Sequence, residues 1–295
     1  MAVTATTSVR VAPAAMPRGL DRRVLTGLAC YLLLIVAAVA ILFPVLWMFS
    51  SSFKPTTELF ARDLTLLPVD WTWDNYRNVW LATDFPVYFW NSFFVASITT
   101  ICSIAVSVYA AYAIARIRFR GRFAFGMMLL VTQMFPHIML VVPLFLIVKR
   151  LGLLDTHAAL IIAYTAFSLP FSIWMLRSFF AAIPLELEDA AAIDGASQLA
   201  TLHRIILPLA GPGIAAVAMY TFIRSWNEFL FALVFLQSGA QRTLPLGLVS
   251  FQEEFNFRWD LMMAGASIIS LPVLFFFLLM QRFIVQGLTG GAVKG

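Results

Sequence analysis

Two charged residues interrupt an apolar stretch of the chain and are the groups there most able to do chemistry. Arg224 and Glu228 stand four positions apart within the run 212–236. On a continuous helix this spacing places both on one face, where they can pair, and burying either charge alone would cost several kcal/mol. Asn227 lies beside them. Two interpretations stay open: a self-neutralised pair that holds helices together, or side chains that line a path for a polar solute.

A second polar pair, Gln133 and His137, has the same spacing in the run 123–148. These side chains either face a water-filled path or satisfy each other between helices. Pro136, and Pro170 further on, are expected to kink their helices. No nucleophile–base pair, paired carboxylates or Cys/His cluster stands out, so we expect no catalytic residue and no metal site. The phosphate loop G-x-x-x-x-G-K-[ST] is absent, so ATP hydrolysis at that kind of site is not expected in this chain.

The elements that must carry these residues are membrane-spanning. The chain is 61% hydrophobic and 12% charged, with a mean hydropathy of +0.89, whereas soluble proteins average about 45–50% apolar and about 25% charged residues. Charge-free runs long enough to cross a bilayer cover residues 24–53, 85–115, 123–148, 156–176 and 261–281. With the interrupted run 212–236 they predict an all-α membrane protein with six transmembrane helices, since a helix satisfies its own backbone hydrogen bonds in lipid.

The distribution of positive charge predicts the orientation. Twelve of the 20 Lys and Arg residues lie on one set of connecting segments and seven on the other. Cytoplasmic loops are enriched in these residues, so both termini are predicted to be cytoplasmic, and the pI of about 9.5 needs no nucleic-acid partner. The sequence thus divides into a flexible cytoplasmic tail at 1–22, a six-helix domain at 23–283 and a second cytoplasmic tail at 284–295. Cys30 and Cys102 fall in predicted spans, so no structural disulfide is expected.

A polar, alanine-rich insert at about 184–208 separates two of the spans. Pro184 suits the first turn of a helix, acidic residues follow near its positive end, and three alanines extend it. Asp194-Gly195 should end this helix, because glycine readily adopts positive φ.

A second short helix is predicted to follow, with Ser197 as its N-cap. Leu199, Leu202 and Ile206 would share one face, and the helix would end before Pro208. Two interpretations of the hairpin stay open: a rigid peg for a groove in another protein, or an amphipathic hairpin lying flat on the membrane.

The spacing within the insert resembles the cytoplasmic docking loop, or EAA motif, of ABC importer permeases. The match consists of Asp189-Ala190-Ala191, Gly195 four positions later, Ile205 ten positions after the glycine, and Leu207-Pro208. Asp189 stands where the family usually has glutamate.

Further segments narrow the resemblance to carbohydrate-uptake permeases of the MalG-like, second-subunit type. They are Ser52-Phe53-Lys54-Pro55, Asn75-Tyr76, Asn91-Ser92, Ala111-Tyr112-Ala113 with Arg116 to Arg122, Ser225-Trp226-Asn227-Glu228-Phe229, Gly287-Leu288-Thr289 and Gly291-Ala292-Val293-Lys294-Gly295. The resemblance implies the type I ABC importer permease fold in a bacterial or archaeal plasma membrane.

It also implies partners: a second, MalF-like permease, two ATPase subunits that bind ATP and Mg²⁺, and an extracellular solute-binding protein. No cofactor is expected in this chain. The expected solute is a sugar such as a disaccharide or oligosaccharide, of the trehalose or maltose kind. The alternatives are a polyol or glycerol-3-phosphate-type solute, or, from a different class, an autonomous secondary transporter.

The resemblance and the polar pairs together define the candidate sites. The residues expected to couple to the ATPase are Glu188, Asp189, Ala190, Ala191, Asp194, Gly195, Ile205, Leu207 and Pro208. The candidate translocation path consists of Gln133, His137, Arg224, Asn227 and Glu228, and the ATPase-contacting tail includes Gly287, Thr289 and Lys294. The external segments 54–84 and 237–260 carry aromatic and polar residues, and the second is expected to face the binding protein.

Overall fold

A computed structural model describes residues 22–63, 65–252 and 257–292 of the chain. Within these ranges the protein is almost entirely helical, and its only β feature is an isolated bridge between Gln252 and Phe257. The prediction of an all-α protein is confirmed. The helices are α1 (Arg22–Ser52), α2 (Thr56–Leu59), α3 (Asp74–Leu81), α4 (Phe85–Arg116), α5 (Arg122–Thr132), α6 (His137–Arg150), α7 (His157–Ala182), α8 (Glu186–Ile193), α9 (Gln198–Thr201), a π-helical turn (Leu202–Ile206), α10 (Leu207–Leu209), α11 (Gly211–Trp226), α12 (Leu230–Phe235), a 3₁₀ turn (Gly239–Gln241), α13 (Leu244–Val249) and α14 (Trp259–Ala292).

The chain divides into two compact units, one ending at Met48 and the other beginning at Phe49. Four stretches within the described helices are long and apolar enough to cross a membrane: Thr26–Ser52, Phe85–Arg116, His157–Ala182 and Trp259–Leu279. Two further pairs pass this test together: Arg122–Thr132 with His137–Arg150, bent by 98°, and Gln198–Leu209 with Gly211–Trp226, bent by 77°. Counting each bent pair as one span gives six, the predicted number, but the second pair begins at Gln198 and ends at Trp226, whereas the predicted span covers 212–236.

The third predicted span is a broken helix rather than a single kinked one. α5 ends at Thr132, and α6 begins at His137 with the extended Pro136 as its N-cap. Proline cannot donate a backbone N–H and disfavours helical geometry in the residue before it, so the helix stops there. Pro170, in contrast, lies inside α7, which continues from His157 to Ala182.

The fifth predicted span is also interrupted. α11 ends at Trp226, and α12 begins only at Leu230. The continuous helix that would have placed Arg224 and Glu228 on one face is therefore absent, and the self-neutralised pair, one of the two open interpretations, does not form along such a face.

The core of the second unit forms where α4 packs against α7 and α11. Small residues recur at every fourth position along the buried side of α4: Thr99, Ser103, Ser107 and Ala111. Residues at this spacing share a helix face, and their small side chains let neighbouring backbones approach closely. The buried faces of α7 and α11 are similarly rich in small polar side chains, including Ser172 and Thr221, whose hydroxyl oxygens lie 3.5 Å apart.

Two asparagine side chains hold connecting segments against the helix ends. The Asn75 amide donates to the carbonyl oxygens of Ser52 (2.9 Å) and Lys54 (2.8 Å). Likewise, the Asn91 amide donates to the carbonyl oxygens of Ala240 (2.8 Å) and Arg242 (2.9 Å). Each amide therefore fixes the backbone of a segment that is distant from it in the sequence.

Asp155 holds the segment that follows α12. One carboxylate oxygen accepts hydrogen bonds from the backbone N–H groups of Gln237 and Ser238, each at 2.9 Å, and from the Ser238 hydroxyl at 3.1 Å. These bonds lower the pKa of Asp155 from its ordinary value, and the bond from the Ser238 N–H has the largest effect. Asp155 has a φ of 60°, a left-handed conformation that Asp tolerates better than most residues.

Candidate docking hairpin and intramembrane polar cluster

The insert forms a helical hairpin. α8 begins at Glu186, two residues after Pro184, so the proline precedes the first turn rather than occupying it. The chain then reverses through a Schellman motif, in which the Gly195 N–H donates to Ala192 O (3.0 Å) and the Ala196 N–H to Ala191 O (2.9 Å). Gly195 has a φ of 78°, the left-handed conformation predicted for it, and no neighbouring atom lies within 4 Å of the position of an added Cβ.

The second arm begins at the predicted N-cap, since the Ser197 hydroxyl accepts from the Ala200 N–H at 3.3 Å. Leu202 and Ile206 are fully buried, as expected for one packed face. Leu199, however, is 62% exposed, so its predicted place on that face is wrong. It lies in the first turn, where the arm has not yet reached the helices on which Leu202 and Ile206 pack.

Pro208 does not end this arm. The helix widens into a π turn from Leu202 to Ile206, where the Leu207 N–H reaches back to Leu202 O, and helical geometry resumes from Leu207 to Leu209. Pro208 thus takes an early position in the renewed α-helical stretch, where a missing N–H is tolerated.

One arm of the hairpin is fixed to α4 by an ion pair. Arg116 Nε lies 2.5 Å from a Glu188 carboxylate oxygen, and the Tyr112 hydroxyl donates to the other oxygen at 3.0 Å. Arg116 also donates to Ile183 O at 2.6 Å, just after α7 ends. The Arg116 and Glu188 side chains are only 9% and 15% exposed, so this contact is largely shielded from water. Glu188 therefore contacts its own chain.

The other arm is fixed to the same helix. His203 Nδ1 donates to Leu199 O at 2.8 Å, because a carbonyl can only accept, and Nε2 lies 3.1 Å from the Tyr109 hydroxyl. In the neutral ring the Tyr109 hydroxyl is therefore the donor. Tyr109, Tyr112 and Arg116 are spaced by three and four residues, so they share one face of the last two turns of α4. We call these three residues the α4 grip.

Several of the remaining hairpin residues are exposed. Asp189, Ala190, Asp194 and Gly195 are exposed, and Ile193 at the tip is 86% exposed. Ala191 is buried, while Ile205 and Leu207 are half-buried and Pro208 is exposed. The predicted coupling residues thus divide into an exposed crest, which includes the two acidic residues Asp189 and Asp194, and a buried or half-buried set. This second set consists of Glu188, Ala191, Ile205 and Leu207.

Glu228 caps a helix instead of pairing with Arg224. Its carboxylate accepts from the N–H groups of Phe231 (3.0 Å) and Ala232 (3.3 Å) in the first turn of α12. It also accepts a hydrogen bond from the Tyr164 hydroxyl of α7. The break in the fifth span thus exposes backbone donors, and these donors capture the carboxylate.

Arg224 contacts a different broken helix. Its Nη2 lies 3.3 Å from His137 Nδ1, at the start of α6, and no carboxylate among the described residues lies within 4.0 Å of its guanidinium. Arg224 is exposed, and Asn227 donates to Ile223 O within its own helical turn. His137, Arg224 and Glu228 together line a small cavity of about 20 Å³.

Gln133 and His137 do not share a helix, because the break at Pro136 separates them. Both line a much larger cavity of about 870 Å³ between α4, α5, α6 and α7, whose walls are mostly apolar. His137 also lines the small polar cavity and packs against Phe167, with ring centroids 4.6 Å apart. His137 is therefore the predicted path residue that connects the two cavities.

The functional contacts that sequence reasoning missed are those between distant segments. Tyr109, Tyr112 and Arg116 lie 72 to 94 positions before their hairpin partners, and Tyr164 lies 64 before Glu228. The only sequence signal was that Tyr112 and Arg116 fall in a segment that supports the family resemblance. The predicted tail residues Gly287 and Thr289 lie within the backbone of α14, and Lys294 lies outside the described residues.

Comparison with known proteins gives a consistent result. Residues 103–290 match the family described as binding-protein-dependent transport system inner membrane component. The chain is 39% identical to the inner membrane ABC transporter permease protein YcjP of Escherichia coli, covering 93% of this chain and 99% of that protein. It is 40% identical to the trehalose/maltose transport system permease protein MalG of Thermococcus litoralis, covering 88% and 94%. A crystal structure of a bacterial ABC transporter that imports the acidic polysaccharide alginate superimposes with a TM-score of 0.80, at 26% identity over 90% of this chain and 99% of that one.

Proposed function

Because the chain belongs to the family of binding-protein-dependent transport system inner membrane components, we propose that it is the MalG-like permease subunit of an ATP-driven sugar importer. Its hairpin would transmit ATP-driven movement from an ATPase subunit to the helices. The observation that carries this proposal is the exposed crest held by the α4 grip at both arms. A hairpin fixed in this way moves with α4, which a hairpin lying loosely on lipid would not do.

Within the crest, Asp189 is the acidic group we assign to the ATPase contact. It is exposed, whereas Glu188 is occupied by Arg116 and Tyr112. Ala190, Asp194, Gly195 and the exposed Ile193 supply the surrounding surface, with no long side chain apart from Ile193. Ala191, Ile205 and Leu207, which are buried or half-buried, support this surface from beneath, and the exposed Pro208 lies where the α-helix resumes.

We assign the solute path to the region where the two broken helices meet. Arg224 and His137 offer nitrogen donors and acceptors, Glu228 and Asn227 lie beside them, and Gln133 lines the adjoining large cavity. Irregular backbone at membrane depth is tolerated where it lines a cavity or is buried in protein. A neutral, hydroxyl-rich solute suits a site that mixes donors and acceptors in this way.

The sugar assignment rests on relatives. The Thermococcus litoralis protein is named for trehalose and maltose, and the Streptomyces coelicolor relative DasC, 37% identical, for diacetylchitobiose. The expected assembly contains a second, MalF-like permease, two ATPase subunits that hold ATP and Mg²⁺, and a solute-binding protein near the segment 237–260. Family membership disfavours an autonomous secondary transporter.

The proposed layout places both termini and the hairpin in the cytoplasm of a bacterial or archaeal cell. The proposal keeps the tail at 1–22, the six-span domain at 23–283 and the tail at 284–295, with Gly287, Thr289 and Lys294 near the ATPase. It rests on the positive-inside pattern of the loops. Cysteine substitutions at the exposed residues Arg118 and Ala240, labelled with a membrane-impermeant maleimide in intact cells, test the orientation. Only the second residue is expected to be labelled. Labelling of only the first would show that the topology is the reverse of the one proposed.

Affinity purification of the tagged chain from mild-detergent extracts tests the assembly, with every copurifying chain identified by mass spectrometry. Recovery of a second permease and a P-loop ATPase is expected, and the binding protein then identifies the solutes to assay. Reproducible recovery of the folded chain alone would overturn the importer proposal.

A pair of variants tests the path. Arg224→Gln should leave the purified complex intact but lower uptake, because the one side-chain hydrogen bond of Arg224 in the described part of the chain is that to His137. Arg224→Gln should also be equally damaging with or without Glu228→Gln, because the two side chains do not pair. Rescue of Arg224→Gln by Glu228→Gln would instead restore the self-neutralised pair as the correct interpretation.

A further inference from the structure

A third cavity, of about 210 Å³, lies between α5 and α7 near the end of the bundle that carries the docking hairpin. Two guanidinium groups, those of Arg122 and Arg177, line it, and no acidic residue does. The remaining wall is apolar and aromatic, with Met127, Leu130 and Trp174 among its residues. The cavity therefore combines a doubly positive side with a hydrophobic side.

Nothing in the described part of the chain neutralises these two charges. Neither Arg122 nor Arg177 has a carboxylate within 4.0 Å there, in contrast to Arg116, which is paired with Glu188. Arg177 instead lies over the Trp174 ring, 5.1 Å from its centroid.

Arg122 is also unfavourably placed with respect to its own helix. It is the first residue of α5, whose first turn contains no acidic residue and whose N-cap, Gly121, has no side chain to accept a hydrogen bond. A positive charge at the positive end of a helix is destabilising, and a nearby anion reverses that effect.

In the orientation proposed above, the cavity lies near the cytoplasmic ends of its helices, at the depth expected for lipid headgroups. Arg122 opens a membrane-spanning pair, and Arg177 lies in the last two turns of α7, which ends at Ala182. The hydrogen bond from Arg116 to Ile183 O brings the ends of α4 and α7 to the same level. Tryptophan is enriched at this interface, and basic pockets between membrane helices on the cytoplasmic side suit anionic lipid headgroups.

We propose that this cavity binds an anionic phospholipid, with the phosphate between Arg122 and Arg177 and part of an acyl chain along Met127 and Leu130. The apolar wall selects a lipid over free phosphate, because an inorganic ion would leave that wall in contact with water. The site is separate from the docking crest and from the cavities that contain His137.

Lipid binding to the intact transporter complex tests the charged half of the site. The complex is delipidated, titrated with phosphatidylglycerol or phosphatidylcholine, and examined by native mass spectrometry. Removing both charges with Arg122→Gln and Arg177→Gln should weaken phosphatidylglycerol binding roughly 30-fold, at about 1 kcal/mol per basic residue and 1.4 kcal/mol per tenfold. The control is Arg118→Gln with Arg120→Gln, which removes equal charge from exposed positions that do not line the cavity. Equal weakening by the control, or none by the test variant, would overturn the proposal.

Filling the cavity tests the apolar half and does not depend on the arginine variants folding. A Cβ on Gly126 would meet Trp174 Cζ3 at 3.6 Å, an ordinary contact, so Gly126→Ala should retain the lipid. Gly126→Leu should occupy the acyl region and lower phosphatidylglycerol binding at least tenfold, with partner subunits still copurifying. Undiminished binding by Gly126→Leu, or displacement of the lipid by millimolar inorganic phosphate, would refute an acyl-chain site. Loss of a partner subunit without loss of lipid would identify the face as a subunit contact instead.

Discussion

Substitution of Gly195 tests the docking hairpin most directly, because a side chain there strains the backbone without causing a steric clash. Its φ is 78°, and the position of an added Cβ is free of neighbours within 4 Å. An L-residue with a side chain loses about 1–2 kcal/mol in the left-handed conformation, and Asn tolerates it best. Such a cost corresponds to a roughly 5- to 30-fold smaller population of the native turn. Proline goes further, since it fixes φ near −65° and removes the N–H that donates to Ala192 O.

The assay is the number of solute molecules imported per ATP hydrolysed by the reconstituted complex, for Gly195→Asn, Gly195→Ala, Gly195→Val and Gly195→Pro. Coupling should fall in that order, from within about twofold of wild type for Asn to complete loss for Pro. Membrane insertion and expression should persist throughout, since Gly195 lies outside the spans. Normal coupling by the proline variant would refute a role for the turn. Equal loss in the asparagine and proline variants would refute the backbone argument, because a side chain of any kind would then be the cause.

Contacts elsewhere in the protein give three further expectations. Glu188→Gln should speed amide hydrogen exchange in α8 about tenfold or more, because it breaks the ion pair with Arg116. Asp189→Asn should instead weaken retention of the ATPase subunits without changing hydrogen exchange. The opposite pattern would reverse the roles assigned to the two residues. The lowered pKa of Asp155 makes its stabilisation complete above the unfolded value of about 3.9 and lost as pH falls through the lower folded value. Pepsin cleavage of the segment after α12, relative to an unstructured reference peptide, should therefore rise only in strong acid, and Asp155→Asn should remove this pH dependence. A pH dependence that persists in Asp155→Asn would refute the role of this carboxylate. Tyr164→Phe and Glu228→Gln should be non-additive by about 1 kcal/mol in thermal stability of the complex, and additive effects would mean that their hydrogen bond contributes nothing.

Features set by local chemistry could be predicted from the sequence. Long charge-free runs identified α1, α4, α7 and α14, because length and hydropathy decide whether a segment spans a membrane. The turn at Gly195 and the cap at Ser197 were also predictable, since each depends on the residue itself and its near neighbours.

Features that depend on distant segments could not be predicted. Pro136 ends a helix while Pro170 remains inside one, so the residue type alone does not decide between a break and a continuous helix. The expected pairing of Arg224 with Glu228 assumed a continuous helix, but the backbone donors of α12 captured the carboxylate instead. The assignment of Glu188 to an external contact likewise missed Arg116, which lies 72 positions earlier in the chain.

The two ends of α4 carry polar contacts of similar kind, and this makes the helix a stiff lever. Its 32 residues span about 48 Å. At one end the α4 grip holds the docking hairpin, and at the other Asn91 holds the segment after α12. A tilt of about 5° around the midpoint displaces each end by about 2 Å, more than a hydrogen bond of 2.8–3.0 Å can absorb. Small rotations therefore cannot be dissipated within α4: either the hairpin and the outer segment travel with it, or the weaker of the two attachments separates first.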